Sequence, residues 1–593
     1  MNNNRIEPHP YTPMRALQIC ALVVASSLAW SCGSGLFGAG VAASGDENTA
    51  DVAPAVSGRM PEPGSVDQSP ATSLLLVFSK PLAVGYDPSN LLSLSYGGRP
   101  VSGVATVSGS QIEFQPDRPL ALERRHDVQW LGRVSFASGQ TLDVNEAWEF
   151  AVRPGSWTAA NPVITFSTVL DSVVNRTGRA AAISSGGFGL GGNNLSSLFT
   201  SVQNEDGTWV APQPLAFENN SISGPRLAWS QDGRQLYSLW RETVPSSSDR
   251  VIRTAKLDTE GSGLWEPLPN VGIPSASTSG AQFAVTRDGT VHCLLRQGQN
   301  TLVSQLGTDE VWTTPVVLAS TFLYSVEYTP EGDPVAYGFD LTSSDNILRY
   351  SRANADGTWG AVTDIVLPDL SLNFAFTFPP KLVFDQDGGA LLIFRAGNDQ
   401  GTIAGTGTLY VEPTGAVGPV YFLDEGLFAN VEFAYCDAAY AGFGLFIIAF
   451  VSRDGSSLSP ETVYSVSWRP GAGGAPSARL PITDQSVVGP SGYFQVQVRA
   501  REDFGAMVTW LRGGGNSGGG SLESRRLNTQ GIWEELDVIS DGIYGCPSFP
   551  GPAPITDRGG ATILWTELSS CAFGSGKGGP TLSALYGLSA RYE

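Results

Sequence analysis

At 593 residues the chain exceeds one ordinary compact domain, and three to four are expected at typical size unless a repeat is present. Gly (70) and Pro (39) are abundant, aromatics reach 10% and charged residues only 15%, the profile of many short strands joined by tight turns. The net charge of −21, with no Lys/Arg cluster to override it, argues against nucleic acid and anionic membrane surfaces as partners.

The chain opens with MNNNRIEPHPYTP, which adds nothing to a signal, so Met14 is a plausible functional start. Met14–Cys32 (MRALQICALVVASSLAWSC) carries a positive residue at Arg15, an apolar stretch from Ala16 to Trp30 and small residues before a Cys, within a signal segment over 1–31. It is too short and too Ser-rich for a comfortable membrane span. Leu28-Ala29-Trp30-Ser31-Cys32 resembles a bacterial lipobox with its Leu displaced by one position and a bulky Trp30. The resemblance implies lipidation of Cys32; ordinary secretion is the alternative. Gly33 follows the Cys where no Asp stands, and that pattern implies an outer-membrane or cell-surface address. Residues 32–59 are Gly, Ala, Ser and acidic residues without apolar periodicity, a flexible tether.

From about Pro61 the texture changes. A strand is expected over Ser73–Ser79, and two more flank Ser108-Gly109, with Ile112 and Phe114 alternating against Gln111, Glu113 and Gln115. Further strands end on Trp148 and Phe150, so 60–153 reads as a small antiparallel sandwich. PEPGS (61–65), LLVFSKPL (75–82), IEFQP (112–116), Pro119-Leu120 and WEF (148–150) occur in the order that resembles the bacterial Ig-like domain of surface-layer and secreted proteins. Such a domain is commonly a spacer or adhesion module, and the resemblance implies no catalytic residue.

The remainder, 154–593, is written as a repeat. Trp157, Trp209, Trp265, Trp312, Trp359 and Trp533 mark it, with Trp-less versions near Gly415–Val420 and Gly471–Leu480, roughly 47–60 residues apart. Between markers stand an apolar strand, a turn often containing Asp-Gly and a second apolar strand, as in PRLAWSQDGRQLYSLW (225–240) and PKLVFDQDGGALLIF (380–394). Gly accepts the positive φ that such tight turns impose. A third strand follows, such as RVIRTAKLD (250–258), before the next marker. Four strands per unit is the β-propeller blade. The expected fold class is therefore all-β: a small Ig-like sandwich, then a propeller of eight blades, or seven because 395–480 is irregular. The ring is expected to close by pairing the strand near Trp157 with the C-terminal strands. The marker Trp reads as inter-blade packing, with aromatic platforms for sugars as the alternative.

Asp206-Gly207-Thr208-Trp209 and Asp356-Gly357-Thr358-Trp359 look like shortened Asp-boxes, and the overall grammar is similar to sialidase-type and lectin propellers. The departure is that here the Asp, Gly and hydroxyl residue are contiguous. A sialidase-like enzyme would need an arginine cluster, a Tyr/Glu pair and an Asp acid, and no motif assigns them. Arginines do recur in phase after the second strand of a unit, at Arg241, Arg296, Arg395, Arg453 and Arg512. They read as solvated charges or partners of acids such as Glu242, or as a ligand-binding face for an anion or glycan, with catalysis as a further alternative.

Cys546 and Cys571 could form a disulfide in an oxidising compartment or be two unrelated buried thiols, whereas Cys293 and Cys436 sit in apolar runs. No cysteine spacing suggests a metal site. His292, beside Cys293 in a strand, reads as a satisfied core residue, and with His9 and His126 the only others, Ser/His/Asp catalysis is poorly supported. Gly513–Gly520 reads as a loop tip, and Asp385-Gln386-Asp387-Gly388 only faintly suggests a calcium loop. No cofactor is expected. The functional expectation is a lipid-anchored surface protein that binds glycans or proteins without turnover; a sialidase-like hydrolase and a structural envelope component are the alternatives. Cys32→Ala is expected to move the protein from the membrane to the soluble fraction, and unchanged fractionation would refute lipidation.

Overall fold

The computed structural model describes residues 52–592 apart from internal segments, the longest being 187–194, 341–346, 368–379, 398–402, 424–435, 454–460, 484–492, 513–519, 544–550 and 569–584. The segment before residue 52, with Cys20, Cys32 and most of the expected tether, lies outside the described residues, as do Cys546 and Cys571; the tether does not reach residue 59, because Val56–Met60 is a strand paired with Leu74–Phe78.

Two four-stranded sheets make the N-terminal sandwich. Val56–Met60, Leu74–Phe78, Gln111–Pro116 and Gly103–Ser108 form one, and Arg99–Pro100, Leu92–Tyr96, Arg125–Ser135 and Thr141–Ala151 the other. Period-two alternation drives this packing. In Gln111–Pro116 burial strictly alternates, sending Ile112 and Phe114 inward against Leu74, Leu76 and Trp130.

All other sheets are antiparallel and belong to the propeller. Six have four strands, and one has seven because the long strand Gln213–Trp229 ends one unit and begins the next. The first strands of successive units are Ser167–Val174, the second half of Gln213–Trp229, Thr278–Val285, Ser325–Tyr328, Lys381–Phe384, Cys436–Tyr440, Tyr493–Arg501 and Gly551–Pro552. They lie against one another in that order, and Ser167–Val174 also lies against the final strands Ala561–Leu568 and Leu585–Tyr592. The first strands therefore line the inner side of the propeller. They are numbered here as units one to eight. The outer strand of the eighth unit is Asn161–Thr165, which pairs with Leu585–Tyr592 from the far end of the chain.

Five marker positions share one register, while Trp265 pairs with Leu257, eight residues earlier. Trp209, Trp312, Trp359 and Trp533 each bridge the residue six positions earlier, and Val417 does the same in the Trp-less fifth unit. Trp157 bridges Tyr592, so the C-terminal strand supplies the partner that the local chain supplies elsewhere. Each marker packs on the unit before its own. Trp265 donates its Nε1–H to Thr200 Oγ1 at 2.6 Å, Trp312 to Thr254 Oγ1 at 3.0 Å and Trp157 to Ser524 Oγ at 2.7 Å. All three acceptors sit on the third strand of the preceding unit. Trp533 packs with Ile447, Ala449 and Val463 of the sixth unit, and Trp359 with Ala284 and Leu294 of the third. A hydroxyl in that position satisfies an indole N–H that burial would otherwise strand.

In the turn before Trp359, Thr358 N–H donates to Asp356 Oδ1 (3.0 Å), as does its hydroxyl (2.6 Å), and Asn354 Nδ2 donates to Thr358 Oγ1 (2.9 Å). Gly357 has φ +79°, which a residue with a Cβ rarely adopts, and an added Cβ would also lie 3.2 Å from Thr290 Oγ1. The motif is thus a self-bonded turn that aims the Trp at the neighbouring unit. Truncating Trp312, 7% exposed, to Ala should cost about 3–5 kcal/mol, and Thr254→Val about 1 kcal/mol, both read from the midpoint of denaturant unfolding.

Candidate functional site

The arginines singled out by their phase do not share one environment. Arg241 and Arg296 lie near the ends of the second strands of the second and third units, and both line one pocket of about 110 Å³. Arg512 instead lies 3.6 Å from the buried carboxylate of Glu523, which also accepts from Trp510 Nε1 (2.8 Å) and Ser521 Oγ (2.6 Å). Arg395 and Arg453 pair through their backbones with Thr406 and Glu461; their side chains lie outside the described residues. The proposed partnership of Glu242 with these arginines needs correction. Glu242, adjacent to Arg241, points to the other face of its strand, where Arg253 Nε meets it at 3.0 Å.

A third arginine, Arg226, joins the pocket from the first strand of the second unit. The lining also holds Ser223, Ser279, Gly280 and Gln282 over an apolar floor that includes Leu294 and Val326, and no acidic side chain is among these described residues. Arg241 is fixed across two units: its Nε donates to Ser223 Oγ (2.9 Å) and one Nη to the Ser279 carbonyl of the third unit. Arg296 lies across the bare backbone of Gly280, where an added Cβ would sit 2.8 Å from Nη2. Arg226 donates to its neighbouring Pro225 carbonyl at 3.0 Å.

Burying cations and gathering them both cost free energy, in that order here. Burial first, then the charges of Arg250 and Arg296, holds Arg241 below the ordinary guanidinium range. Burial and then Arg226 do the same to Arg296. Nearby Asp171 accepts the Leu227 N–H at 2.9 Å, and burial pushes its carboxyl up against the opposing pull of Arg226. The three guanidinium groups line one concave site. An oxyanion entering there would replace guanidinium repulsion with charge-assisted hydrogen bonds. The lining contributes hydroxyls and an amide but no carboxylate or imidazole, so its described residues can hold an anion but provide no general base.

A second charged group lies on the first strands of the fourth to seventh units, and it is self-neutralising. Asp437, 5% exposed, accepts the Val498 N–H (2.7 Å) and pairs with Lys381 and with Arg499 Nη1 (3.3 Å). Glu327 stands by this group with its carboxyl pushed up, chiefly by burial. The Asp385 carboxylate of the faint calcium motif is taken by Tyr410 Oη (2.5 Å) and by the N–H groups of Asp387 and Gly389. Among the described residues no group of three His, Cys, Asp or Glu could hold a metal.

The chain matches no known protein family and no curated protein. Solved structures resemble it faintly. The β-propeller domain of the Trilobed protease from Pyrococcus furiosus covers 64% of this chain and 96% of its own, at 12% identity and a TM-score of 0.35. Sqt1 from Chaetomium thermophilum covers 72% and 97% at 11% identity and a TM-score of 0.39. The polysaccharide lyase Uly1 covers 71% and 89% at 13% identity and a TM-score of 0.34. Likeness of this size transfers no activity, and the propeller assignment stands on the sheets themselves.

His292 is buried as expected of a core residue but not satisfied: neither ring nitrogen has a hydrogen-bond partner among the described residues, and Trp359 packs against it edge-on at 5.9 Å. Burial lowers its pKa from 6.5 to about 4, opposed by Asp288. The unfolded chain then binds more protons than the folded one between those values. Stability from the neutral ring is complete above about pH 6.5 and lost as the pH falls to about 4, a difference on the order of 3 kcal/mol. His292→Leu is expected to flatten the pH dependence of the unfolding midpoint across that window; an unchanged slope would contradict the assignment.

Proposed function

We propose that the chain is an exported, lipid-anchored binding protein. In this reading Cys32 carries the anchor, the residues from there to the first sandwich strand at Val56 form the tether, and the sandwich is an Ig-like module. The propeller is an eight-unit ring that recognises the carboxylate of an acidic glycan at the pocket between its second and third units. The observation that carries the reading is the convergence of Arg226, Arg241 and Arg296 on a pocket whose described lining offers no counter-charge. With a net charge of −21 on the chain, attraction for an anion must be local. Screening over about 8–10 Å reduces the influence of distant acids and leaves the adjacent guanidiniums dominant. A pocket of about 110 Å³ admits a carboxylate while the rest of a saccharide stays on the rim. The absence of a base among the described lining residues favours binding over turnover.

The test is a glycan array, followed by calorimetric titration of the full chain with uronate- and sialate-bearing oligosaccharides and their neutral counterparts. Acidic ligands should bind and neutral ones should not. Gly280→Ala, which displaces Arg296 without altering charge, should weaken binding about tenfold or more, the size of one lost charge-assisted bond. Equal binding of neutral glycans, or full affinity in the Gly280→Ala protein, would overturn the reading. Cleavage of an acidic glycoside by the full chain would replace it with the hydrolase alternative.

A further inference from the structure

The sandwich does not hang from the propeller as a spacer would. Its segment 120–124 is buried in the seventh and eighth units. Leu120, Ala121 and Leu122, all under 4% exposed, share one apolar cluster with Phe504, Met507, Ile555, Ala561 and Tyr592. Two glycines permit the approach: a Cβ on Gly155 would lie 2.5 Å from the Tyr592 ring and 2.7 Å from Leu122, and one on Gly559 would lie 2.6 Å from Phe504. Arg124 stacks over the Phe504 ring at 4.6 Å.

A buried ion pair fixes the orientation. Arg526, on the third strand of the seventh unit and only 4% exposed, donates to Glu123 Oε1 at 2.6 Å, to Tyr592 Oη at 3.1 Å and to the Phe504 carbonyl at 3.2 Å. Glu123 adopts φ +54°, an unfavourable conformation for a residue with a side chain. It is held there between the Arg124 carbonyl, bonded by Val152, and its own bond to the Arg153 carbonyl. Strain of this kind persists where surrounding contacts over-determine it.

The partners of this segment converge on one place. Tyr592 belongs to the C-terminal strand, bridges Trp157 at the start of the propeller and packs on its ring at 5.5 Å. The strand following Trp157 pairs with that same C-terminal strand. This seam joins the two chain ends of the propeller. Elsewhere adjacent strands of a unit are linked through the chain, whereas here backbone pairing and side-chain packing hold them together.

We propose that residues 120–124 are a clasp that fastens the seam between the first and last propeller strands, making the sandwich and the propeller one cooperative folding unit. The clasp acts through Leu122 in the shared apolar cluster and Glu123 on Arg526. Removing either should let the seam open ahead of the rest of the molecule, because local opening follows the least-supported strands.

Hydrogen exchange on the full chain tests this. In the Leu122→Ala/Glu123→Gln protein, peptides covering 161–165 and 585–592 should exchange at least about tenfold faster. Those covering Arg125–Ser135 of the sandwich and Val291–Gln297 of the third unit should keep their protection. Arg526→Met, which leaves the sandwich sequence intact, should open the same two peptides, and it supplies the reading if the double variant unfolds the sandwich. Unchanged exchange at the seam in Arg526→Met would overturn the proposal, as would two separate unfolding transitions in the unaltered chain.

Discussion

A four-stranded sheet cannot stand alone in water: it exposes an apolar face on each side and leaves unpaired N–H groups on its edges. Everything else in this propeller depends on each unit covering its neighbour. On the inner side, Asp171 of the first unit accepts the Leu227 N–H of the second, and Asp437 of the sixth accepts the Val498 N–H of the seventh. Tyr328 of the fourth accepts the Val285 N–H of the third at 3.2 Å. Farther out, Trp157, Trp265 and Trp312 reach back to hydroxyls on the preceding unit. Side chains thus bond edge groups that no strand covers, Asp171 and Asp437 doing so from corresponding strand positions.

The same geometry explains where specificity arises. Arg226, Gln282 and Lys381 occupy corresponding places on three first strands, each opposite the residue two before a phased arginine. At the Lys381 position the charge is spent on Asp437. Arg226 faces Arg296 across one unit boundary and Asp171 across the other, and the described pocket lining adds no acid of its own. One repeated scaffold position therefore serves cohesion in one place and, in the proposed binding reading, an anion site in another, the difference lying in which residue the neighbouring unit supplies.

Much of the architecture was legible because repetition amplifies weak signals. Asp-Gly turns, alternating strands and the recurring Trp located the units, and the chain ends suggested the pairing now seen between Asn161–Thr165 and Leu585–Tyr592. The site was legible in part. Arg241 and Arg296 stood out by phase; Arg226 did not, since a lone Arg at the start of a strand resembles any solvated charge. Aligning PRLAWSQDG on AQFAVTRDG would have set it over Gln282 and pointed to the same face. Arg241 and Glu242 misled because adjacency in a strand means opposite faces. The docking of the sandwich was hidden for a different reason. Leu120 stood out only within the Pro119-Leu120 piece of the Ig-like pattern, and the partners Phe504 and Tyr592 lie hundreds of residues away, joined to Leu120–Leu122 only by tertiary packing.

The central claim is that an acidic saccharide is held by its carboxylate between the second and third units. A crystal structure of the full chain with a uronate-bearing oligosaccharide tests it most directly. The account predicts the carboxylate oxygens within hydrogen-bond distance of Arg241 and Arg296, with Arg226 turned toward them and the sugar ring on the rim. A ligand bound elsewhere on the propeller, or one seated through its hydroxyls with the three arginines unengaged, would contradict it.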